Sequence, residues 1–416
     1  MKKYLPFIIL ISYVLFSYLI FEIGPWPWPI DNWPLLRIYM FASFFSMFVG
    51  YFIAVNIRVT RRIELLKFTN TRFNILLTLA LFSMLLISYA RAGTLFPNVL
   101  YGIAFPGSAY SAYVARTNSG GIVVLLEYIN ILVHSSFYIV VVVGVCYWRA
   151  LKPMQKCIYS LILLYYIFIY VAIGVNKGVV AVIIPLPLAY ALIKMTDKVD
   201  VAKLIKYGIS LSLLFIAFLV YFTAGQIDRE GGVATSGSFG PPLSITTDRS
   251  SYFPENVSIA WESFSRYLSQ GYFALGKALE VEYENFGYGI SASMFLMRKM
   301  DQSWLDNTLV YQLETQIGWG VFELWHSLPT WLINGFGVIG SLIVLGILGF
   351  MLGRVWKRLL IYKDIIDLAK LYLLVTIFLY FPANNQIFQA PDSTIAFILI
   401  YSLPAIFITL SSAFKR

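Results

Sequence analysis

Residues 331–353 read WLINGFGVIGSLIVLGILGFMLG, a run without one charged side chain. About 20 apolar residues in a helix cross the hydrocarbon core of a bilayer, so this stretch alone predicts a membrane span. Similar runs recur along the chain. In order they predict ten spans, at about 4–23, 35–56, 73–90, 122–147, 158–175, 178–195, 207–224, 331–353, 365–382 and 394–412. Of the 416 residues 59% are hydrophobic, 17% aromatic and only 12% charged, with a mean hydropathy of +0.75. Soluble domains carry about 25% charged residues, so lipid must solvate much of this surface.

The expected fold is therefore an all-α polytopic membrane protein. Spans one to seven fill residues 1–224. A large polar loop with short helices fills 225–330, and spans eight to ten fill 331–416. Pro185 and Pro187 interrupt the sixth span, which is tolerated where the freed backbone groups face protein or water. The first run is about 20 residues long and is followed by Gly24-Pro25-Trp26-Pro27-Trp28-Pro29 rather than a cleavage site, so it reads as an uncleaved signal anchor.

Charge sets the expected orientation. With the N-terminus inside, the inner segments and span ends hold 21 of the 31 Lys and Arg residues, but only five of the 21 acidic ones. Positive charge favours the cytoplasmic side. Both termini are expected in the cytoplasm, and the 225–329 loop on the outer side of the membrane. The net charge of +10 thus marks membrane flanks rather than a nucleic-acid surface. Cys146 and Cys157 give neither a disulfide framework nor metal-ligand spacing.

Several residues outside the large loop stand out. Trp26, Trp28 and Trp33 read as an interfacial aromatic belt, and Arg91 as an anchor snorkelling from a span end. Arg116 sits in polar company. Glu127 and His134 lie within the fourth span, as functional groups or as structural hydrogen-bond partners. Lys177 lies in the tight turn Gly174-Val175-Asn176-Lys177-Gly178 before a helix start, a place suited to an anion.

The large loop carries six basic and twelve acidic residues. Its arginines are thus not a general basic surface; each is paired with a carboxylate or placed for a specific anion. From Asn256 the pattern turns helical, with Val257, Ala260, Trp261, Phe264, Tyr267 and Leu268 as the apolar face. A second helical patch is expected at Tyr272–Tyr283. Arg and Lys beside a membrane suit a lipid-linked phosphate or pyrophosphate, and the many aromatic faces suit sugar rings. No phosphate loop, dinucleotide fingerprint, zinc-protease motif or nucleophile elbow is present.

The run Trp325-His326-Ser327-Leu328-Pro329-Thr330-Trp331-Leu332-Ile333-Asn334-Gly335-Phe336-Gly337, continuing into a Gly-rich span, resembles the end of the periplasmic loop in bacterial O-antigen polymerases and the related O-antigen ligases. Gly174–Gly178 resembles a turn of that superfamily, with Lys177 in place of its usual Arg. The resemblance covers the topology and roughly 60 residues. It implies a GT-C-like membrane glycosyltransferase that joins glycan units carried on undecaprenyl pyrophosphate at the periplasmic face, with no cofactor and no metal. The implied partners are a lipid-linked glycan donor and acceptor, membrane lipid and a chain-length regulator protein; nucleic acid is not among them.

The expected chemistry is base-assisted attack of an acceptor hydroxyl on the anomeric carbon. His326 is the first choice of base, with Glu323 orienting it or acting instead. Arg266, Lys177, Arg249, Arg298 and Arg116 are the candidates for the pyrophosphate. Trp261, Tyr267, Tyr272 and Tyr288 are the candidates for the glycan. The rival readings are a ligase to lipid A core, a lipid-linked oligosaccharide flippase and a structural membrane protein.

Overall fold

All ten apolar runs lie on helices. The structure is a computed structural model and describes residues 2–59, 68–117, 121–196, 201–229, 238–239, 243–247, 255–283 and 287–413. α1 (Leu5–Ile23), α2 (Trp33–Asn56) and α3 (Asn70–Ala92) come first. Two short helices, α4 (Val99–Ala104) and α5 (Pro106–Thr117), lead to α6 (Ile122–Val133) and α7 (Ser135–Cys146). Then come α8 (Pro153–Ala172), α9 (Asn176–Ile183), α10 (Pro185–Met195) and α11 (Val201–Arg229). The large loop holds the strand pair β1 (Ser238–Phe239) and β2 (Ile245–Thr246), then α12 (Glu255–Ala278). It closes with α13 (Met294–Met297), α14 (Gln302–Leu305) and α15 (Leu309–Ile317). The chain ends with α16 (Leu328–Ile361), α17 (Ile365–Leu379) and α18 (Pro391–Ala413).

Among the described residues, six stretches are long and apolar enough to cross a membrane: Lys2–Ile23, Trp33–Asn56, Asn70–Ala92, Pro153–Ala172, Gly178–Met195 and Leu328–Ile361. The pair α6–α7, bent by 47°, makes a seventh if taken as one span. The protein is membrane-spanning, with fewer clear spans than the ten predicted. The other three predicted spans fall on α11, α17 and α18. α17 has 15 residues, about 22 Å of helix. It is the enclosed centre of the bundle, with nearly every residue buried. Outward faces are apolar instead: Phe41 is 72% exposed, Leu132 71% and Ile339 77%. Such surfaces on long apolar helices suit contact with lipid.

The proline break in the sixth predicted span is satisfied by a neighbour. Pro185 has no N–H to give the Ala181 carbonyl four residues earlier. The Tyr372 hydroxyl of α17 donates to that carbonyl at 2.8 Å. The break between α9 and α10 is thereby held inside protein.

α2 and α16 pack at backbone distance. A β-carbon on Gly50 would lie 1.8 Å from the Gly346 carbonyl oxygen, and one on Gly349 would lie 2.1 Å from that of Met47. Ser46 Oγ donates to the Leu342 carbonyl at 2.6 Å across the same seam. Small residues allow this approach where lipid leaves no hydrophobic drive between helices. Gly50→Ala must push the helices apart and is expected to cost at least about 1–3 kcal/mol. Thermal unfolding of the detergent-solubilised protein measures it; an unchanged midpoint would refute this seam.

Gly337 breaks α16 with φ 69° and ψ 176°, a region open in practice only to glycine. Before it, Leu328–Gly335 is wholly buried; the exposed apolar face of the helix begins at Phe336.

α12 is one continuous helix across much of both predicted patches, and the predicted apolar face runs from exposed Val257 and Trp261 to buried Leu268. Its small polar flank is buried: Glu262, Ser265 and Ser269 are each below a tenth exposed. The Trp26 indole donates to the Glu262 carbonyl at 3.0 Å, and the Trp28 indole donates to Ser269 Oγ at 3.1 Å. Both tryptophans are 5% exposed, so they fasten α12 to the α1–α2 turn and form no interfacial belt. The aromatic flank of α12 is left free to line a cavity.

Candidate functional site

A cavity of about 910 Å³ lies between this aromatic flank and the helix bundle. α12 supplies Trp261, Phe264, Tyr267 and Leu268. Residues 321–325, just ahead of α16, form a second wall that includes Phe322, Glu323 and Trp325. The α9–α10 break contributes Asn176, Ile184 and Pro185, and α11 contributes Ser212, Leu219 and Phe222. α1 adds Tyr13 and Phe16, and α5 adds Tyr110. The connection after α17 closes the space with Tyr380, Asn384 and Gln386. The volume suits a ligand of several rings.

Of the predicted site residues, the cavity gathers Glu323, Trp261 and Tyr267. Glu323 is exposed, and its carboxylate accepts from the Phe322 N–H at 3.3 Å. Arg298 is exposed and is not a lining residue; its guanidinium lies 5.0 Å from the centre of the ring of Phe322, which is one. Arg266 is half-buried on α12 beside Tyr267 and is not a lining residue. Lys177 falls at the start of α9, behind the positive φ of Gly174, and its side chain is not among those described. Arg249 lies outside the described residues.

Four predicted groups are placed elsewhere. Arg116 Nε and Nη2 donate at 3.1 Å to the carbonyls of Ala90 and Tyr89, which caps the end of α3. Tyr272 is fully buried between α12 and α1, its hydroxyl 2.8 Å from Ser17 Oγ. Tyr288 is 81% exposed at a positive-φ turn, away from the cavity. His326 is buried: its Nε2–H donates to the Gly320 carbonyl at 3.3 Å, and its ring meets Trp331 edge to face. Its Nδ1 has no partner. Protonating that atom would bury an unpaired N–H, so burial pushes the imidazole down to about 4 from 6.5, against a smaller opposing effect of the Gly320 bond. It neither lines the cavity nor bonds to Glu323.

A second polar cluster lies in the bundle. Arg91 is buried rather than snorkelling. Its Nη2 donates to Asp392 Oδ2 at 3.0 Å and its Nη1 to the Tyr170 hydroxyl at 2.6 Å, while Glu127 Oε1 lies 3.5 Å from Nε. His134, at the α6–α7 bend, has Nδ1 2.9 Å from Ser83 Oγ and Nε2 4.0 Å from Asp392. Glu127 and His134 thus belong to one ionic network that ties α3, α6, α8 and α18 together.

Sequence reasoning missed Tyr380, Asn384, Gln386 and Asp392. The signal was legible: Asn384-Asn385-Gln386, three carboxamides in a row between two apolar runs, is costly unless those groups have something to bind.

Searches against protein-family models, curated proteins and solved structures return no match to this chain.

Proposed function

We propose that the protein is a membrane glycosyltransferase that joins lipid-linked oligosaccharide units, as an O-antigen polymerase does. The observation that carries this reading is the composition of the cavity wall: an exposed carboxylate, Glu323, beside aromatic faces and carboxamides, next to apolar helices. Aromatic faces take sugar rings and carboxamides take hydroxyls, while the lipid tail of such a substrate stays in the bilayer.

In this reading the acceptor hydroxyl oxygen attacks the anomeric carbon of the donor. The C–O bond to the lipid pyrophosphate breaks, and its electron pair leaves with the pyrophosphate. The hydroxyl proton passes to the Glu323 carboxylate. Glu323 takes the base role ahead of His326, because it faces the cavity and His326 does not. Arg298, behind Phe322, is the cation best placed for the leaving pyrophosphate, with Arg266 and Lys177 on neighbouring elements.

The test is reconstitution. Purified protein in vesicles, given undecaprenyl-pyrophosphate-linked repeat units, is expected to yield a ladder of polymers and one released lipid pyrophosphate per bond formed. Transfer only to added lipid A core would make it a ligase. Absence of both products from folded protein would reject glycosyl transfer.

A further inference from the structure

We propose that residues 94–105, which follow the span α3 and pack on the span α8, are seated in the bilayer. α4 lies along the membrane plane, and its partner is the acyl chains of the surrounding lipid. This contact is independent of glycosyl transfer.

The sequence sets the segment apart. From Ala92 to Ala115 there is no Asp, Glu, Lys or Arg. α4 has six residues, far from the roughly 20 that cross a bilayer. Yet its apolar side chains point outward: Phe96 is 88% exposed, Leu100 80%, Ile103 56% and Phe105 54%. Leu100 and Ile103, three residues apart, share one face of the helix. Gly102 lies on another face. A β-carbon there would be 2.1 Å from the Val171 carbonyl oxygen, so α4 rests its backbone on the last turn of α8.

The hydrogen bonds favour lipid over water as the surroundings. After Gly93 ends α3, the chain folds back along the spans. The Thr94 carbonyl accepts from Ser88 Oγ at 2.7 Å, and Ser88 lies a full turn before Ala92, the last residue of α3. The Leu95 carbonyl accepts from the hydroxyl of Tyr165, which lies about 10 Å of helix rise before Ala172, the last residue of α8. The Phe96 N–H donates to Thr94 Oγ1 at 3.1 Å, and the Tyr101 N–H donates to Asn98 Oδ1 at 3.0 Å. Pro97 has no N–H to satisfy. Side chains thus serve backbone groups that water serves in a solvated loop. In hydrocarbon such service is required, because an unpaired backbone group there is costly.

The patch also continues a lipid-facing surface. Leu161, Leu164 and Phe168 are exposed on α8, a membrane span, and Tyr165 shares their face. The Tyr165 bond therefore holds Leu95 against the lipid side of that span. α5 follows at once. A β-carbon on Gly174 would lie 2.2 Å from the Pro106 carbonyl oxygen, and Tyr110 of α5 lines the cavity. The seated segment thus adjoins the cavity wall.

The test uses the full-length protein in liposomes whose phospholipid carries a diazirine in its acyl chains. After irradiation, labelled residues are located by mass spectrometry. Label is expected on Phe96, Leu100 or Ile103, as on Leu164 of α8, and not on the polar residues 301–307. A fluorophore then measures depth. It is attached at Leu100→Cys, or at Ser303→Cys on α14, in a chain whose two native cysteines are replaced by alanine. Spin-labelled acyl chains are expected to quench the Leu100 site at a depth of about 5–10 Å below the headgroup boundary. Aqueous iodide is expected to quench only the Ser303 site.

Label on Leu164 with none on residues 96–103 would overturn the proposal. So would iodide quenching at the Leu100 site as strong as at Ser303, which means that the segment lies in water. Protection of the Leu100 site from both quenchers would mean that protein covers this face, a second copy or another chain, and overturns it as well.

Discussion

Arg91→Met is expected to destabilise the protein by about 3–5 kcal/mol, the usual result of removing one partner of a buried ion pair. The side chain of Arg91 is 10% exposed and that of Asp392 5%. Deleting the guanidinium takes from the buried Asp392 carboxylate the donor that lies 3.0 Å away. It also removes the Arg91 N–H that the Tyr170 hydroxyl accepts at 2.6 Å. Glu127 suffers less, since a third of its side chain is exposed. Thermal unfolding in detergent micelles gives the measurement. The double variant Arg91→Met/Asp392→Asn is expected to recover more than half of the loss, because the stranded charge has gone. A loss below about 1 kcal/mol in the single variant, the range of a surface pair, would mean that water reaches the cluster.

The second large effect concerns turnover. Glu323→Gln keeps size and hydrogen bonding but cannot take a proton, and is expected to lower polymer formation at least about 100-fold. His326 is expected to respond through stability. Its imidazole is held at about 4 in the folded chain, against 6.5 when unfolded. Between those values the unfolded chain binds a proton that the folded chain refuses, so stability is full above pH 6.5 and is lost as pH falls towards 4. The loss amounts to about 3 kcal/mol. His326→Asn is expected to remove that slope and leave turnover at pH 7.5 within a few-fold of wild type. If His326→Asn abolishes turnover in folded protein while Glu323→Gln does not, the two roles must be exchanged.

Helices were legible in the sequence because lipid imposes long apolar runs, and each of the ten runs is helical. Their number as spans was not. Whether a run such as Ile365–Leu379 crosses a bilayer or fills the centre of a bundle depends on its neighbours, and composition is alike in both cases. The burial of the polar flank of α12 was not legible for a related reason. Periodicity ranks faces by apolarity, but two indole N–H groups from a distant turn made the serine face the one to bury. Of the site, Glu323, Trp261 and Tyr267 were legible because all three lie in the one large polar loop, where carboxylates and aromatic rings stand out. Tyr380, Asn384 and Gln386 were missed because attention went to the large loop, and they come from a short one. Asp392 was missed because a lone acid at a helix start reads as a cap until its arginine, 301 residues away, is seen.

The fastening of α12 by Trp26 and Trp28 has a consequence for how the chain is made. The two bonds join residues 236 and 241 positions apart. At synthesis rates of about 5–20 residues per second, the tryptophan turn waits roughly 10–50 seconds for its partner. Through that interval the turn is without the two acceptors that α12 provides. A chain cut short before residue 255 lacks both acceptors, so the α1–α2 turn cannot reach its finished packing until α12 is made.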